Sequence, residues 1–253
     1  MGKTATSAIR VWAGLKLPDV KLDDFYAMLG NTFIPGTLYM LRPLGIYAYN
    51  IAVITQEESD IPSECALIVY GSRDGYRGIT RENLRGRVHR ASHNALFDMM
   101  ASRASFPEFW RDGKTNTDTT YLFEQDMDWQ KGFIWFIMIT VPSGNTTKLF
   151  NTFINVLKDL LVKANCGQCI LLQRGRYATL WLCFENDLTE DQVTDLKAQF
   201  NALFVGEPIV TVAKFFKLQT YPSFTDFPEL LSISGDLGIQ YKFIIDPSTT
   251  IYL

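Results

Sequence analysis

One order of elements, strand–helix–strand–strand–helix–strand, occurs twice along this chain and restricts its folds more than any other feature. Apolar residues at every second position predict the strands, and apolar stripes at helical spacing predict the helices. The predicted strands are residues 8–17, 47–54, 65–70 and 120–127, then 133–141, 169–173, 177–185 and 208–220. The predicted helices are residues 22–29 and 80–100, then 147–163 and 189–204. The order repeats although the sequence does not.

Two βαββαβ units predict an α+β fold with two antiparallel four-stranded sheets, each carrying helices on one face. Residues 133–141, FIWFIMITV, are apolar at nearly every position, which is typical of a strand buried on both faces. The chain resembles the dimeric α+β-barrel superfamily, in the version where two ferredoxin-like units are fused. This resemblance covers about residues 8–220 and implies two tandem units whose sheets pair into a barrel-like arrangement. The expected division is a first unit at 1–128, a second at 129–220 and an irregular extension at 221–253.

The resemblance also implies a range of functions, because a fold does not determine a reaction. Members include haem-dependent peroxidases and dismutases, cofactor-free monooxygenases, lactone isomerases, cyclases and dehydratases, besides non-enzymatic ligand binders. The leading expectation is a small-molecule enzyme of the cyclase, isomerase, dehydratase or oxygenase type. The alternatives are a non-catalytic ligand-binding or assembly protein and a haem-dependent enzyme. Haem-binding relatives usually carry the axial histidine in the second unit, whereas His89 and His93 both lie in the first.

Charge and hydropathy exclude several classes of partner. A net charge of −3 and a pI near 5.5 are unlike the basic footprint of nucleic-acid-binding proteins. No run of about 18 apolar residues predicts a membrane span, and the first residues, MGKTATS, contain no apolar signal core. Four cysteines without such a signal favour free thiols, with Cys166 and Cys169 in structural roles. We therefore expect a cytoplasmic protein, capable of forming a homo-oligomer, that binds neither nucleic acid nor membrane.

Residues 80–100, TRENLRGRVHRASHNALFDMM, hold both histidines and a local excess of arginine, and are predicted to form one amphipathic helix. Arg81, Arg85, His89 and His93 are spaced four apart, so on such a helix they form one stripe. The stripe suits an anionic substrate, because arginines bind carboxylates and histidines move protons.

The same stripe has other interpretations. An i, i+4 histidine pair is too small a ligand set for zinc without a third ligand, so no metal site is predicted. A haem would need one axial histidine, with Arg81 and Arg85 on its propionates. Ordinary packing would instead place a histidine in the core, bonded to backbone, and the arginines in surface ion pairs.

Aromatic and polar residues that recur in phase on the first three strands predict a second candidate site. If their face lies away from the helices, it lines a barrel interior, where a tyrosine and Arg10 could stabilise an enolate while Asp74 or a histidine moves the proton. An inter-sheet hydrophobic core is the alternative. The predicted catalytic residues of the two sites are His89, His93, Arg85, Asp74 and Tyr76, and the predicted substrate-binding residues are Arg10, Trp12, Tyr47, Tyr49, Tyr70 and Arg81.

Three further segments carry predictions. Residues 33–45, FIPGTLYMLRPLG, are predicted to be an apolar loop because two prolines interrupt them, serving either as a lid or as packing across the end of a sheet. In the second unit Trp135, Tyr177 and Trp181 are predicted core residues. The helix at 189–204 is predicted to begin with a capping box of Thr189 and Gln192.

Overall fold

Among the described residues, those up to residue 104 form one compact unit and those from residue 105 onward form a second. The computed structural model describes residues 8–41, 44–54, 60–109, 118–123, 127–129, 131–140, 146–204, 212–218 and 250–252. No helix within these described ranges combines the length and apolarity needed to cross a bilayer.

The first unit is a four-stranded sheet with helices packed on one face. Its elements are β1 (Ala8–Gly14), α1 (Leu22–Met28), α2 (Ile34–Leu41), β2 (Ile46–Val53), β3 (Glu64–Tyr70), α3 (Arg73–Arg77), α4 (Leu84–Ser92) and β4 (Arg103–Ser105). The strand order is β2-β3-β1-β4, and β3 runs antiparallel to both β1 and β2. This is the order expected of a ferredoxin-like unit, in which the first and third strands lie at the centre.

The second unit repeats this arrangement within a wider sheet. Its elements are β5 (Glu108–Phe109), β6 (Thr119–Tyr121), β7 (Phe133–Thr140), α5 (Thr146–Lys163), β8 (Gln168–Arg174), β9 (Tyr177–Phe184), α6 (Glu190–Phe204), β10 (Val212–Leu218) and β11 (Thr250–Tyr252). The strand order is β11-β10-β7-β9-β8-β6-β5, so its four central strands follow the order of the first unit. The predicted class, α+β with two tandem ferredoxin-like units, is therefore confirmed. The pairing of the sheets into a barrel stays a prediction.

The core of the second unit confirms several sequence predictions. From Ile134 to Thr140, every residue of β7 is buried, as an apolar strand with two covered faces requires. The predicted core residues Trp135, Tyr177 and Trp181 are all buried. The capping box is present: the Gln192 side chain accepts a bond from the Thr189 backbone N–H, and Thr189 Oγ1 accepts one from the Gln192 N–H.

The prediction that residues 120–127 close the first sheet is wrong. The strand beside β1 is β4, whereas Thr119–Tyr121 pairs antiparallel with β8 in the other unit. Alternation of apolar and polar residues identifies a strand but not the sheet that the strand joins. The true closing strand, β4, has only three residues and no apolar pattern. The unit boundary expected at residue 128 follows the end of this predicted strand. A further short strand predicted at 239–245 lies outside the described residues.

The apolar segment predicted as a loop at 33–45 is mostly helical. A π-helical stretch, Leu29–Phe33, joins α1 directly to α2, which contains Pro35 and Gly36. Proline lacks the N–H of a regular helix and its ring clashes with the carbonyl four residues earlier. The wide turn just before Pro35 relieves both problems, so the helix continues past the proline.

The predicted single helix at 80–100 is also wrong, because it is broken at Asn83. The backbone of Asn83 is extended, with ψ 137°, and its side-chain oxygen accepts a bond from the Arg85 N–H at 2.9 Å, which caps α4. Arg81 therefore lies in a separate π-helical stretch, Gly78–Glu82. After Ser92 only a 3-10 turn, His93–Ala95, continues the helix.

The core of the first unit leaves no room for a side chain at Gly14. A Cβ there would lie 2.5 Å from Phe97 Cε1 and 2.6 Å from Trp12 Nε1. We expect Gly14→Ala to lower the free energy of unfolding by about 1–3 kcal/mol, as overpacked core sites do. Urea denaturation followed by circular dichroism measures this. Gly71→Ala is the matched control, since no heavy atom lies within 4 Å of its Cβ position. Equal urea midpoints for the two variants would contradict the packing described.

Candidate functional site

Seven of the residues predicted for the two sites lie together on the helix-facing side of the first sheet. Register places Trp12 of β1 opposite Ala66 of β3, and Tyr49 of β2 opposite Ile68, so these aromatic side chains share a face. That face packs on the helices, which corrects the idea that it points away from them. We call this set the Glu64 cluster; it comprises Arg10, Trp12, Tyr49, Glu64, Tyr70, Tyr76, His89 and His93.

Glu64 is the fully buried carboxyl of the cluster, with 0% of its surface exposed. Trp12 Nε1 donates a hydrogen bond to Glu64 Oε2 at 3.0 Å, and the Tyr49 hydroxyl donates to Oε1 at 3.5 Å. Burial raises the pKa of Glu64 to about 7, although these two bonds and the charge of Arg10 oppose the shift. The carboxyl can therefore both hold and release a proton near neutral pH.

His89 and His93 are buried one turn apart on the helical segment that covers this face. His93 Nδ1 lies 2.9 Å from the His89 carbonyl oxygen, so that nitrogen carries the proton and donates it. His89 Nδ1 lies 3.4 Å from Thr37 Oγ1, whose own hydroxyl donates to the Phe33 carbonyl at 2.7 Å. His89 Nδ1 is therefore also the donor, and both Nε2 atoms are left as acceptors.

Burial keeps both imidazoles neutral, because it lowers the pKa of His89 to about 3 and that of His93 to about 4. The two rings are 4.7 Å apart between centroids, and Phe33 lies 5.3 Å from His89 and 4.8 Å from His93. Trp12 makes an edge contact with His93 at 5.3 Å. The pair is thus enclosed by aromatic rings, as the core-packing interpretation of the stripe predicts.

These surroundings do not fit a haem. An axial histidine needs the open face of a flat cofactor, yet Phe33 fills the space against both imidazoles. Arg81 and Arg85, predicted to hold propionates, are exposed and lie on different helical segments. Within the part of the chain that the structure describes, no group of three or more His, Cys, Asp or Glu residues is placed to hold a metal ion.

Arg10 forms the outer boundary of the cluster. Its guanidinium carbon lies 5.4 Å from the ring centroids of both Trp12 and Tyr76. Tyr76, on α3, makes an edge contact with Tyr70 at 4.9 Å. Burial raises the pKa of Tyr70 to about 12 while Arg10 opposes the shift, so that phenol is neutral. Arg10 and Tyr76 are both half-buried.

Four predicted site residues lie elsewhere. Tyr47 is 44% exposed because a register shift between Ile46 and Ala48 turns it out of phase with Tyr49. Asp74 is exposed and lies 4.0 Å from Arg77 in an ion pair. The guanidinium of Arg85 lies 6.0 Å from the ring centroid of Tyr39, and Arg81 is exposed beyond the break in the helix.

Sequence reasoning missed Glu64, Thr37 and Phe33. Glu64 falls one residue before the strand predicted at 65–70, although it is in phase with Ala66 and Tyr70 and so belongs to their face. Extending the strand by one residue would have identified it. Thr37 and Phe33 belong to the segment expected to be a loop, so no signal placed them near the histidines.

The solved structures that match this chain resemble it in backbone arrangement alone. No protein-family model and no curated protein matches the chain. A proposed monooxygenase from Fusobacterium nucleatum subsp. nucleatum is 11% identical, with a TM-score of 0.46 over 86% of this chain and 94% of that one. A proposed monooxygenase from Lactobacillus acidophilus is 6% identical, with a TM-score of 0.42 over 85% and 94%. A dye-decolorizing peroxidase from Bacteroides thetaiotaomicron is 10% identical, with a TM-score of 0.38 over 90% and 96%.

Titration of Glu64 should leave a signature in the stability of the protein. The pKa of Glu64 is about 7 in the folded state, against an ordinary 4.5. Between these two pH values the folded protein therefore keeps a proton on Glu64 that the unfolded chain has already released. The resulting stabilisation is complete below pH 4.5 and is lost as pH rises to about 7. We expect the free energy of unfolding of the wild type, relative to Glu64→Gln, to fall by about 3 kcal/mol across this window.

Urea denaturation at a series of pH values measures the difference between the two proteins. His89 and His93 act with the opposite sign, since their lowered pKa values make the fold less stable as pH falls below 6.5. Their contribution is common to both proteins and cancels in the subtraction. Parallel stability curves for wild type and Glu64→Gln would show that the carboxyl does not titrate in this way.

Proposed function

We propose that the protein is a small-molecule enzyme that transfers protons by general acid–base catalysis, with Glu64 as the proton-transfer group. The observation that carries the proposal is a fully buried carboxyl whose pKa is raised to about 7 among hydrogen-bond donors. A group with its pKa near the working pH is the most effective proton carrier. Buried and perturbed titratable groups occur preferentially at functional sites.

The surrounding residues suggest the kind of substrate. Trp12, Tyr49 and Tyr76 supply aromatic surface, and Arg10 supplies a positive charge at the outer boundary. An apolar or aromatic molecule carrying an anionic group matches this set. Abstraction of a proton next to a carbonyl begins many isomerisation, cyclisation, dehydration and cofactor-free oxygenation reactions. Arg10, with the Tyr49 hydroxyl, could then stabilise the enolate that forms.

Access to Glu64 requires movement in this proposal, because the carboxyl is enclosed. Half-buried Tyr76 lies on the five-residue helix α3, which leads directly into a π-helical stretch. Short, irregular helical segments open at lower free energy than core strands. Displacing Tyr76 would open the Glu64 cluster on the side that carries Arg10 and Tyr70.

A non-catalytic function is the second candidate, and the complete burial of Glu64 favours it. A hydrogen-bonded polar group within an apolar core can serve only to fix the packing of strands and helices. In that case Trp12 and Tyr49 satisfy the carboxyl permanently, and no substrate displaces them.

Deuterium exchange separates the two candidates. Wild-type protein is incubated in deuterated water with aromatic ketones and keto acids that carry acidic C–H bonds, and mass spectrometry follows deuterium uptake. We expect catalysed exchange whose rate rises as pH passes about 7, since the ionised carboxylate is the base. Glu64→Gln should lower the rate by about 10²–10⁴-fold, the usual contribution of a general base.

Glu82→Gln is the matched control, because Glu82 is an exposed glutamate in the same unit. It should exchange at the wild-type rate. Tyr49→Phe should retain the fold while slowing exchange, as it removes one hydrogen-bond donor from the carboxyl. If Glu64→Gln exchanges deuterium as fast as the wild type, or no compound exchanges, the catalytic proposal is rejected in favour of the packing role.

A further inference from the structure

The second unit contains a cavity of about 660 Å³ that is separate from the Glu64 cluster. It lies at the end of the sheet where α5 leads into β8 and where β9 leads into α6. Its walls come from the residues after α5, from the turn between β9 and α6, and from Phe123. Pockets that hold small molecules commonly have volumes of about 300–1,000 Å³, so the cavity has room for such a ligand.

The charge around the cavity is negative. Glu185 and Asp187 line it, and none of the described residues in its lining is Lys, Arg or His. The amides of Asn165, Asn186 and Gln192 add polar groups without adding charge. A ligand held here would therefore meet the carboxylates of Glu185 and Asp187.

The end of α5 adds to this negative potential. Asn165 adopts a left-handed conformation, with φ 59°, and the backbone N–H groups of Asn165 and Cys166 bond back to the carbonyls of Val162 and Leu161. These bonds end the helix at the cavity wall, so the carbonyl end of its dipole, worth roughly half a negative charge, lies at that wall.

Apolar side chains complete the lining. Phe184 is 2% exposed, Phe123 and Leu188 are half-buried, and all three face the cavity. Aromatic faces attract cations as well as apolar groups. Cys166 also lines the cavity, but burial raises the pKa of its thiol, which is therefore neutral and not a nucleophile.

We propose that this cavity is a binding site for a small organic amine. The ammonium group pairs with Glu185 and Asp187 at the carbonyl end of α5, and the apolar part of the ligand contacts Phe123, Phe184 and Leu188. All of these residues belong to the second unit, whereas the Glu64 cluster belongs to the first. The amine-binding proposal therefore does not depend on the catalytic proposal, and each can fail without the other.

Calorimetric titration of the full chain with phenethylammonium chloride tests the site. Phenethyl alcohol, which has the same apolar part without the charge, is the ligand control. We expect the amine to bind and the alcohol to bind far more weakly, with the affinity for the amine falling as salt is added. Glu185→Gln and Asp187→Asn should each weaken binding about threefold, and the double variant about tenfold, as for partly exposed ion pairs.

Glu190→Gln is the matched control variant, because it removes the same charge from the exposed first turn of α6 without altering the lining. Its affinity for the amine should stay within about a factor of two of the wild type, since only long-range electrostatics change. Equal binding of the amine and the alcohol, equal affinities of the double variant and Glu190→Gln, or no binding of the amine would each overturn the proposal.

Discussion

The hydrogen bonds from Trp12 and Tyr49 to the buried Glu64 carboxyl determine how the rest of the first unit is built. An unpaired carboxyl in an apolar core is costly, and these two donors offset part of that cost. Holding the indole in place requires the close approach that Gly14 allows, and Phe97 packs into the same space. The strand register, the glycine at position 14 and the packing of Phe97 therefore all help to hold Trp12 against the Glu64 carboxyl.

The sequence predicted the architecture well because periodicity reports burial directly. Alternation in the strands and the long apolar stripe of α5 are consequences of one-sided packing, and the order of elements then leaves few topologies. The closing strand of the first unit was missed because it has no such periodicity. Three residues of β4 bury too little surface to impose a pattern, while Thr119–Tyr121 has strand periodicity but joins a different sheet.

The candidate site was less predictable, because its geometry depends on two local irregularities. Regular helical spacing would place Arg81, Arg85, His89 and His93 on one stripe, but the extended backbone at Asn83 separates Arg81 from the others. The π-helical stretch before Pro35 brings Phe33 and Thr37 against the histidines. Neither irregularity follows from periodicity, since each depends on a single asparagine or proline within a helical context. The seven aromatic, arginine and histidine members of the Glu64 cluster were identified by residue type, but Glu64 itself was not.

The edges of the second sheet have a consequence for how this chain could be divided. Its ferredoxin-like core, β7 to β10, ends in β8 on one side and β10 on the other, and both strands are covered by β6 and β11 from outside the repeated unit. Uncovered strand edges recruit other strands and lead to aggregation. The repeat is thus a unit of topology but not an interchangeable module: excised at its own limits, it would carry two open edges that its flanking segments normally close.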